Sequence, residues 1–173
     1  RAVLTDTQKR VRRARRVLAG RGMVEAITWS FVPKKEAEAF GGGSPALDLA
    51  NPISVEMSSM RPSLLPGLLT AAQRNRNRGN ADVALFEVGQ AYRGAGEKDQ
   101  FVAAGGVRTG ASHMAGSGRH WQGAAAEAGV FEAKADVTAL LGDLGFDIQK
   151  AQIVREAPVW FHPGRSGAVK LGP

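Results

Sequence analysis

The order and spacing of the patterned segments predict an α+β domain with a mainly antiparallel sheet and helices packed on it. A basic helix comes first, followed by a strand, a short helix, a second long helix, several strands in hairpins, a third long helix and final strands. Most strand connections are shorter than the roughly dozen residues that a parallel crossover needs. The 173 residues, 43% of them apolar, suffice for one domain, 1–173, without internal repeats.

The first helix has a clear start and a narrow buried stripe. The segment Thr5 to Gln8 fits a capping box. Val11, Ala14 and Leu18 recur at helical spacing and predict the face that packs on the domain. Long basic side chains fill the other faces.

The net charge of +7 is concentrated at this helix. Residues 1–22 hold eight basic side chains and one acidic one, so the remainder of the chain is neutral overall. Three interpretations stay open: a solvated helix whose side chains cover apolar neighbours, a contact for RNA phosphates, or a contact for an acidic protein. The candidate RNA contacts are Arg12, Arg13, Arg15 and Arg16.

The next segments predict a strand and a short helix. Residues 23–32 alternate between apolar and polar, which predicts a strand with Ile27, Trp29 and Phe31 on one face. A helix is expected from residue 33 to 40, ended by three glycines. Because Ser44-Pro45 follows these glycines, we expect a turn there and no phosphate-binding loop. A short strand is expected at 47–50.

Residues 51–93 form the most distinctive stretch. Prolines break its first part, and leucines at helical spacing from 64 onwards predict a helix that Gly79 ends. Strands are expected at 83–88 and 91–93. Glu87 is the one charge in the first of these, and we expect it to pair with a basic neighbour, with Arg93 as the candidate, or to face solvent.

The remaining chain predicts further strands at 101–107, 148–155 and 168–171, with a loop at 109–118. A helix is expected over 131–144. Its inward residues are expected to be Phe131, Val137, Leu140, Leu141 and Leu144.

The sequence contains few candidate catalytic or metal-binding residues. It has no cysteine, and none of its three histidines has metal-ligand spacing. His113 falls in the expected loop, His120 is expected to pack or face solvent, and His162 is expected to form a turn. We therefore predict no catalytic residue and no metal site. No apolar run is long enough to span a bilayer, and the N-terminal segment is too charged for a secretory signal. We therefore expect a cytoplasmic protein that does not bind a membrane.

Several long motifs support a resemblance that covers nearly the whole chain. They are NPIS-x-E-M-S-x-MRPSLLPGLL and LFEVG-x-x-YR, with GMVEAITWSFV before them and HWQG, FEAKADV and FHPGRSG after them. Together these motifs resemble the β subunits of bacterial phenylalanine–tRNA ligases, in the catalytic-like module of those subunits. The resemblance implies the fold of class II aminoacyl-tRNA synthetase catalytic domains.

The resemblance also implies that the active site has been lost. Active class II enzymes bind ATP and magnesium with an arginine clamp and carboxylates. Here LFEVGQAYRG is similar to the first strand of their second motif, but the loop GAGEKDQ lacks the expected His, Phe and Glu, and a third motif is absent. ATP and magnesium are thus expected for the whole enzyme and no cofactor for this chain.

What the resemblance implies for function is a structural role in a larger enzyme. The chain is expected to be a piece of a β subunit, cut at its C-terminal end, that assembles with the catalytic α subunit into an (αβ)₂ tetramer attaching phenylalanine to its tRNA. An RNA-binding module using the basic helix is the alternative. The expected interface or interface-supporting residues are Pro52, Met57, Met60, Arg61, Pro62 and Leu65, of which the methionines and Leu65 would otherwise be core.

Overall fold

The computed structural model describes residues 3–112 and 126–172 and arranges them around a three-stranded sheet with helices on both faces. The helices are α1 (Asp6–Gly20), α2 (Lys34–Ala39), α3 (Leu65–Asn77) and α4 (Val130–Asp143). The strands are β1 (Val24–Glu25), β2 (Phe31–Val32), β3 (Ser59–Met60), β4 (Val83–Tyr92), β5 (Gln100–Thr109), β6 (Ala151–Val154) and β7 (Ala168–Leu171).

The central sheet has the order β1-β4-β5. β4 and β5 pair antiparallel over ten residues each, from Val83 opposite Thr109 to Tyr92 opposite Gln100, and β1 joins β4 in parallel. The pairs β2–β3 and β6–β7 are both antiparallel. Three of these four pairs are antiparallel, which confirms the α+β prediction with a mainly antiparallel sheet.

α1 covers one face of the sheet. Its start is the predicted capping box, in which the Gln8 N–H donates to the Thr5 hydroxyl over 3.2 Å and the Thr5 N–H donates to the Gln8 side chain over 2.9 Å. Ala14 and Leu18 are buried in the core with Phe86 of β4. The stripe read from the sequence is therefore the packing face.

α3 covers the opposite face. Leu64 and Leu68 are almost fully buried and lie beside Gly105 of β5, where a β-carbon would come within 3.3 Å of both. Gly67, in the first turn of α3, lies against Thr28, and a side chain at that position would overlap the threonine hydroxyl. The glycine thus lets α3 approach the segment between β1 and β2.

The prediction of one strand over residues 23–32 is wrong. β1 and β2 are two residues each and belong to different sheets, with residues 26–30 between them. The face that carries Ile27 and Trp29 is exposed: Ile27 is 86% exposed and Trp29 is 69% exposed, while Thr28 points inward and hydrogen-bonds to Glu87. The reason is that buried Glu87 needs a polar partner.

Three further boundaries differ from the sequence prediction. β4 continues through Gly89 and Gln90, which stay paired with β5, so the strands expected at 83–88 and 91–93 are one. Residues 47–50 hold a 3₁₀ turn that ends at Leu47 and a single bridge from Asp48 to Ser59. The strand expected at 148–155 is preceded by another 3₁₀ turn and covers only β6.

α4 is the helix that departs most from the expected packing. Phe131 is 78% exposed and Val137 is also exposed, whereas Leu140 packs against the core. The buried residue of α4 is Asp136. A cavity of about 200 Å³ lies between α4, β5 and Leu18 of α1. Ion pairs, rather than an apolar stripe, hold this helix on the domain.

Part of the expected loop at 109–118, together with His113, His120 and the HWQG motif, lies outside the described residues. Within the described ranges, none of the helices combines the length and the apolar character that crossing a membrane requires.

We expect Gly67→Ala to lower the free energy of unfolding by about 1–3 kcal/mol, because Thr28 is β-branched and cannot turn away from the added methyl group. Gly20→Ala, in open space at the end of α1, is the matched control and should be neutral or stabilise by about 0.4–1 kcal/mol. Urea denaturation of both variants measures the difference. Equal stability of the two variants would contradict the close approach of α3.

Candidate functional site

A buried ion pair between Arg61 and Glu87 lies between the sheet and α3. Both side chains are 4% exposed, and the Arg61 Nη1 atom is 2.9 Å from Glu87 Oε1. The Thr28 hydroxyl donates to Glu87 Oε2 over 2.7 Å and accepts from Arg61 Nη1 over 2.9 Å. Each member of this triad therefore contacts both of the others.

Arg61 also joins two backbone segments, the one between β1 and β2 and strand β4, to its own. Its main-chain N–H donates to the carbonyl of Ser30, and its carbonyl accepts from the N–H of Tyr92, both over 3.0 Å. Its Nε donates to the carbonyl of Gln90 over 2.8 Å. Gly89 makes room for the guanidinium, since a β-carbon there would be 2.8 Å from Nη2. One side chain thus fixes the β1–β2 segment against β4.

Arg93 is not the partner of Glu87, which corrects the sequence prediction. Arg93 follows the end of β4, and at about 3.3 Å of rise per residue it lies roughly 20 Å along the chain from Glu87. Its guanidinium instead lies over the ring of Phe101, 4.4 Å from the centroid. Glu87 is buried and contacts both Arg61 and Thr28, so its carboxylate is not accessible to a substrate.

On the outer side of this triad the chain presents apolar side chains. Ile27 and Trp29 project into solvent, and the segment that carries them leads into Phe31. Phe31 lines a hollow of about 290 Å³ together with Met57 and Ile53, and Ile53 is 89% exposed. We call Ile27, Trp29, Phe31, Ile53 and Met57 the apolar surface.

The six expected interface residues take different positions around this surface. Pro52 is exposed next to Ile53, Met57 lines the hollow, and Met60 pairs with Phe31 across β2 and β3. Arg61 lies inside the chain, where it can support an interface but not contact a partner. The remaining two, Pro62 and Leu65, are partly buried.

Ile27 and Trp29 are the surface residues that the sequence analysis missed. The period-2 pattern put both on one face of a strand but did not show that this face is exposed. The signal that could have found them is Glu87: a charge in a buried strand needs polar partners. Thr28 supplies the hydroxyl, and Gly67 of α3 leaves room for it.

A second buried cluster holds α4. Arg108 Nε lies 2.6 Å from Asp136 Oδ2, and Arg21 Nε contacts the other carboxylate oxygen. Arg108 also donates to the carbonyl of Arg21 over 2.9 Å. Burial alone would raise the pKa of Asp136, but hydrogen bonds and charge from the two arginines outweigh it and lower the pKa below the usual value.

The four arginines expected to contact RNA divide into two pairs. Arg13 Nε lies 3.1 Å from a carboxylate oxygen of Asp143 on α4. Arg15 lies 2.7 Å from Glu25 and donates to the carbonyl of Val88 over 3.1 Å. Arg12 and Arg16 are exposed and form no ion pair with any residue that the structure describes. Arg13 and Arg15 thus anchor α1, whereas Arg12 and Arg16 are directed to solvent.

Residues with catalytic or metal-binding potential are dispersed. Within 3–112 and 126–172, no group of three or more His, Cys, Asp or Glu side chains could hold a metal ion. His162 forms the expected turn: its Nδ1 accepts from the Gly164 N–H over 3.0 Å, and its carbonyl accepts from the Ser166 hydroxyl over 2.6 Å. His162 therefore has a structural role.

Glu87→Gln should lower the free energy of unfolding by about 3–5 kcal/mol, because it leaves the Arg61 charge buried without a counter-charge. Glu156→Gln breaks the exposed pair with Lys170 and serves as the matched control, with little expected change. Chemical denaturation followed by circular dichroism gives both values. Similar losses from the two substitutions would show that the buried pair does not organise the fold.

Asp136→Asn should reduce stability at neutral pH by about 3 kcal/mol, since two arginines lose their counter-charge. Because the pKa of Asp136 is lowered in the folded state, its contribution is present above the usual value of 3.8 and is lost as the pH falls through the lower, folded-state pKa. The difference between variant and wild type should therefore narrow in acid. Asp147→Asn at an exposed pair should show no such trend.

Comparison with known proteins identifies relatives of this chain. The sequence profile described as "Phenylalanyl tRNA synthetase beta chain CLM domain" matches residues 1–173. Proteins named phenylalanine–tRNA ligase beta subunit from Mesorhizobium japonicum and Rhodopseudomonas palustris are each 56% identical over 171 and 172 residues, 99% of this chain. The chain spans about a fifth of the length of these relatives, 21% in both cases.

A solved structure supports the fold. A pyrrolysyl tRNA synthetase from Desulfitobacterium hafniense superimposes with a TM-score of 0.61 over 89% of this chain and 50% of the synthetase chain, at 16% sequence identity. This likeness concerns the fold alone and confirms the α+β, class II synthetase-like architecture expected from the sequence. With a family profile that matches all 173 residues and relatives 56% identical along them, the chain belongs to the family of the phenylalanyl-tRNA synthetase β-chain CLM domain.

Proposed function

We propose that this chain is a non-catalytic structural module of a phenylalanine–tRNA ligase β subunit. It assembles with the catalytic α subunit in an (αβ)₂ tetramer and supports the ATP-dependent attachment of phenylalanine to its tRNA in the cytoplasm. ATP, magnesium and tRNA are bound by the whole enzyme. The observation that carries the proposal is the apolar surface: Ile27 and Trp29 are exposed on the segment that leads into Phe31, and Phe31 lines the hollow.

The use of the buried carboxylates supports a non-catalytic role. Glu87 is held by Arg61 and Thr28, and Asp136 is held by Arg108 and Arg21. Neither group has the access to solvent or substrate that acid–base or magnesium chemistry requires. Fixed charges of this kind stabilise the fold.

The connection between β4 and β5 supports the same conclusion. In it the Asp99 carboxylate accepts from the Gly96 N–H over 3.1 Å, and the Asp99 carbonyl accepts from the Arg93 N–H over 3.0 Å. The loop therefore closes on itself. Arg93, which matches the second class II motif in position, lies over Phe101 rather than beside a carboxylate.

The chemistry of the apolar surface supports assembly with a protein. Tryptophan and methionine are enriched in the centres of protein interfaces, and exposed apolar side chains in clusters are uncommon on monomers. Arg61 fixes the backbone behind Trp29, since its Nη1 lies 3.4 Å from the Trp29 carbonyl. A rigid backbone lowers the entropy lost on binding.

Trp29→Asp should weaken binding of the chain to a purified α subunit by at least about 30-fold, because it places a charge in the apolar centre of the contact. Size-exclusion chromatography with light scattering, followed by titration calorimetry, measures the loss. Val159→Asp is the matched control: Val159 is 95% exposed, does not belong to the apolar surface and should leave the affinity unchanged.

Two results would overturn the proposal. Wild-type affinity of a folded Trp29→Asp variant would remove the apolar surface from the interface. Micromolar binding of ATP and phenylalanine by the chain alone would contradict the non-catalytic role.

A further inference from the structure

A hollow of about 350 Å³ lies at the end of the β4–β5 hairpin where the two strands are connected. Residues from five separate parts of the chain line it: the end of α2, the 3₁₀ turn at Leu47, the segment before α3, the hairpin itself and the turn between β6 and β7. Pockets that bind small molecules usually have volumes of roughly 300–1,000 Å³ and apolar walls with a few polar groups. The size and construction of this hollow match that description.

Aromatic side chains form much of its wall. Phe40, Tyr92, Phe101 and Trp160 all line the hollow, and each of them is half-buried rather than enclosed in the core. The ring centroids of Phe40 and Trp160 are 6.0 Å apart. Gly41 allows this close packing, since a β-carbon there would lie 2.9 Å from the Trp160 ring. The walls therefore suit a flat apolar group.

Two nitrogen donors in the lining have no acceptor. The guanidinium of Arg93 lies over the Phe101 ring and makes no ion pair or side-chain hydrogen bond with any residue that the structure describes. The indole N–H of Trp160 is buried, also without an acceptor among the described residues. Buried donors of this kind are rare in native structures because an unmade hydrogen bond is costly. Both observations indicate that an acceptor is missing from the hollow.

The remaining polar groups in the lining are hydroxyls. Ser44 accepts from the Ala46 N–H over 3.3 Å, and Ser63 accepts from the Leu65 N–H over 3.2 Å. A hydroxyl that accepts in this way still has its own proton to donate. Of the described residues that line the hollow, none is an aspartate or a glutamate. The hollow is thus rich in donors and carries a positive charge.

We propose that this hollow binds a small aromatic carboxylate that has no ammonium group. The ring of the ligand contacts the aromatic walls, and its carboxylate pairs with Arg93, whose planar guanidinium matches a carboxylate in bidentate geometry. An ammonium group would find no carboxylate in the lining, and an unpaired charge is costly to remove from water. The proposal goes beyond the assembly role described above and does not depend on it.

The charge of the lining distinguishes this ligand from a nucleoside triphosphate. A triphosphate carries several negative charges and is bound through several cations or through metal ions held by carboxylates. The lining supplies one guanidinium and, among its described residues, no carboxylate. A monoanion therefore matches the site.

Three related compounds test the chemistry of the ligand. The purified chain is titrated with 3-phenylpropanoate, with its neutral amide and with L-phenylalanine, which differs by an ammonium group. The amide and phenylalanine should each bind about tenfold or more weakly than the carboxylate, because one lacks the negative charge and the other carries an unpaired positive charge. The indole N–H resonance of Trp160, identified by its absence from a Trp160→Phe variant, should shift on binding of 3-phenylpropanoate in ¹⁵N NMR spectra.

Two variants test the role of the guanidinium. Arg93→Gln should weaken binding of 3-phenylpropanoate by about tenfold or more. Arg76→Gln removes another exposed arginine, in α3 and outside the hollow, and should keep the wild-type affinity. Because both arginines are exposed, both variants should remain folded, which circular dichroism checks.

Several results would overturn the inference. They are the absence of a Trp160 shift at about 10 mM 3-phenylpropanoate, which corresponds to negligible affinity, equal affinities for the carboxylate and the amide, and equal affinities of Arg93→Gln and Arg76→Gln. Pro62, one of the expected interface residues, also lines the hollow. If Arg93→Gln weakened binding of the α subunit as strongly as binding of 3-phenylpropanoate, the hollow would belong to a protein interface instead.

This test is independent of the α-subunit test. Arg93→Gln should leave co-elution with the α subunit unchanged, and Trp29→Asp should leave the affinity for 3-phenylpropanoate unchanged. Loss of one activity alone therefore identifies which of the two proposals fails.

Discussion

The buried triad of Arg61, Glu87 and Thr28 sets the arrangement of the molecule. A charge in the middle of the central strand β4 is costly unless it is paired and hydrogen-bonded, and removing one partner costs more than the pair itself contributes. The backbone accordingly brings three remote segments to one point, with Arg61 also bonded to the carbonyl of Gln90. Two glycines leave the space that this contact needs: Gly89 leaves room for the Arg61 guanidinium, and Gly67 leaves room for the Thr28 side chain.

The exposure of Ile27 and Trp29 follows from that triad. In an extended segment neighbouring side chains point to opposite sides, so a threonine that faces Glu87 directs both apolar neighbours outward. The burial of the triad and the exposure of the apolar side chains thus have the same cause. The exposure of these apolar side chains is unfavourable for an isolated chain in water and favourable where a partner covers the surface.

The elements that sequence reasoning located well are those governed by local physics. The capping box at Thr5, the helix that begins near Leu64 and the final strand at 168–171 depend on near neighbours, and all three are present. The failures involve distant partners. Alternation could not reveal that Glu87 pairs with Arg61, which lies far from it in the sequence. A helical stripe could not reveal that Asp136, rather than Phe131, would be the buried residue of α4.

The attachment of α4 has a consequence for the dynamics of the domain. Helices α1 and α3 each bury a leucine, whereas the buried residue of α4 is a carboxylate held by two arginines beside an apolar cavity. Few buried apolar contacts mean a small free energy of local opening. In native-state hydrogen exchange we therefore expect the amides of α4 to form a separate cooperative unit, which opens while the β4–β5 hairpin and α3 stay closed.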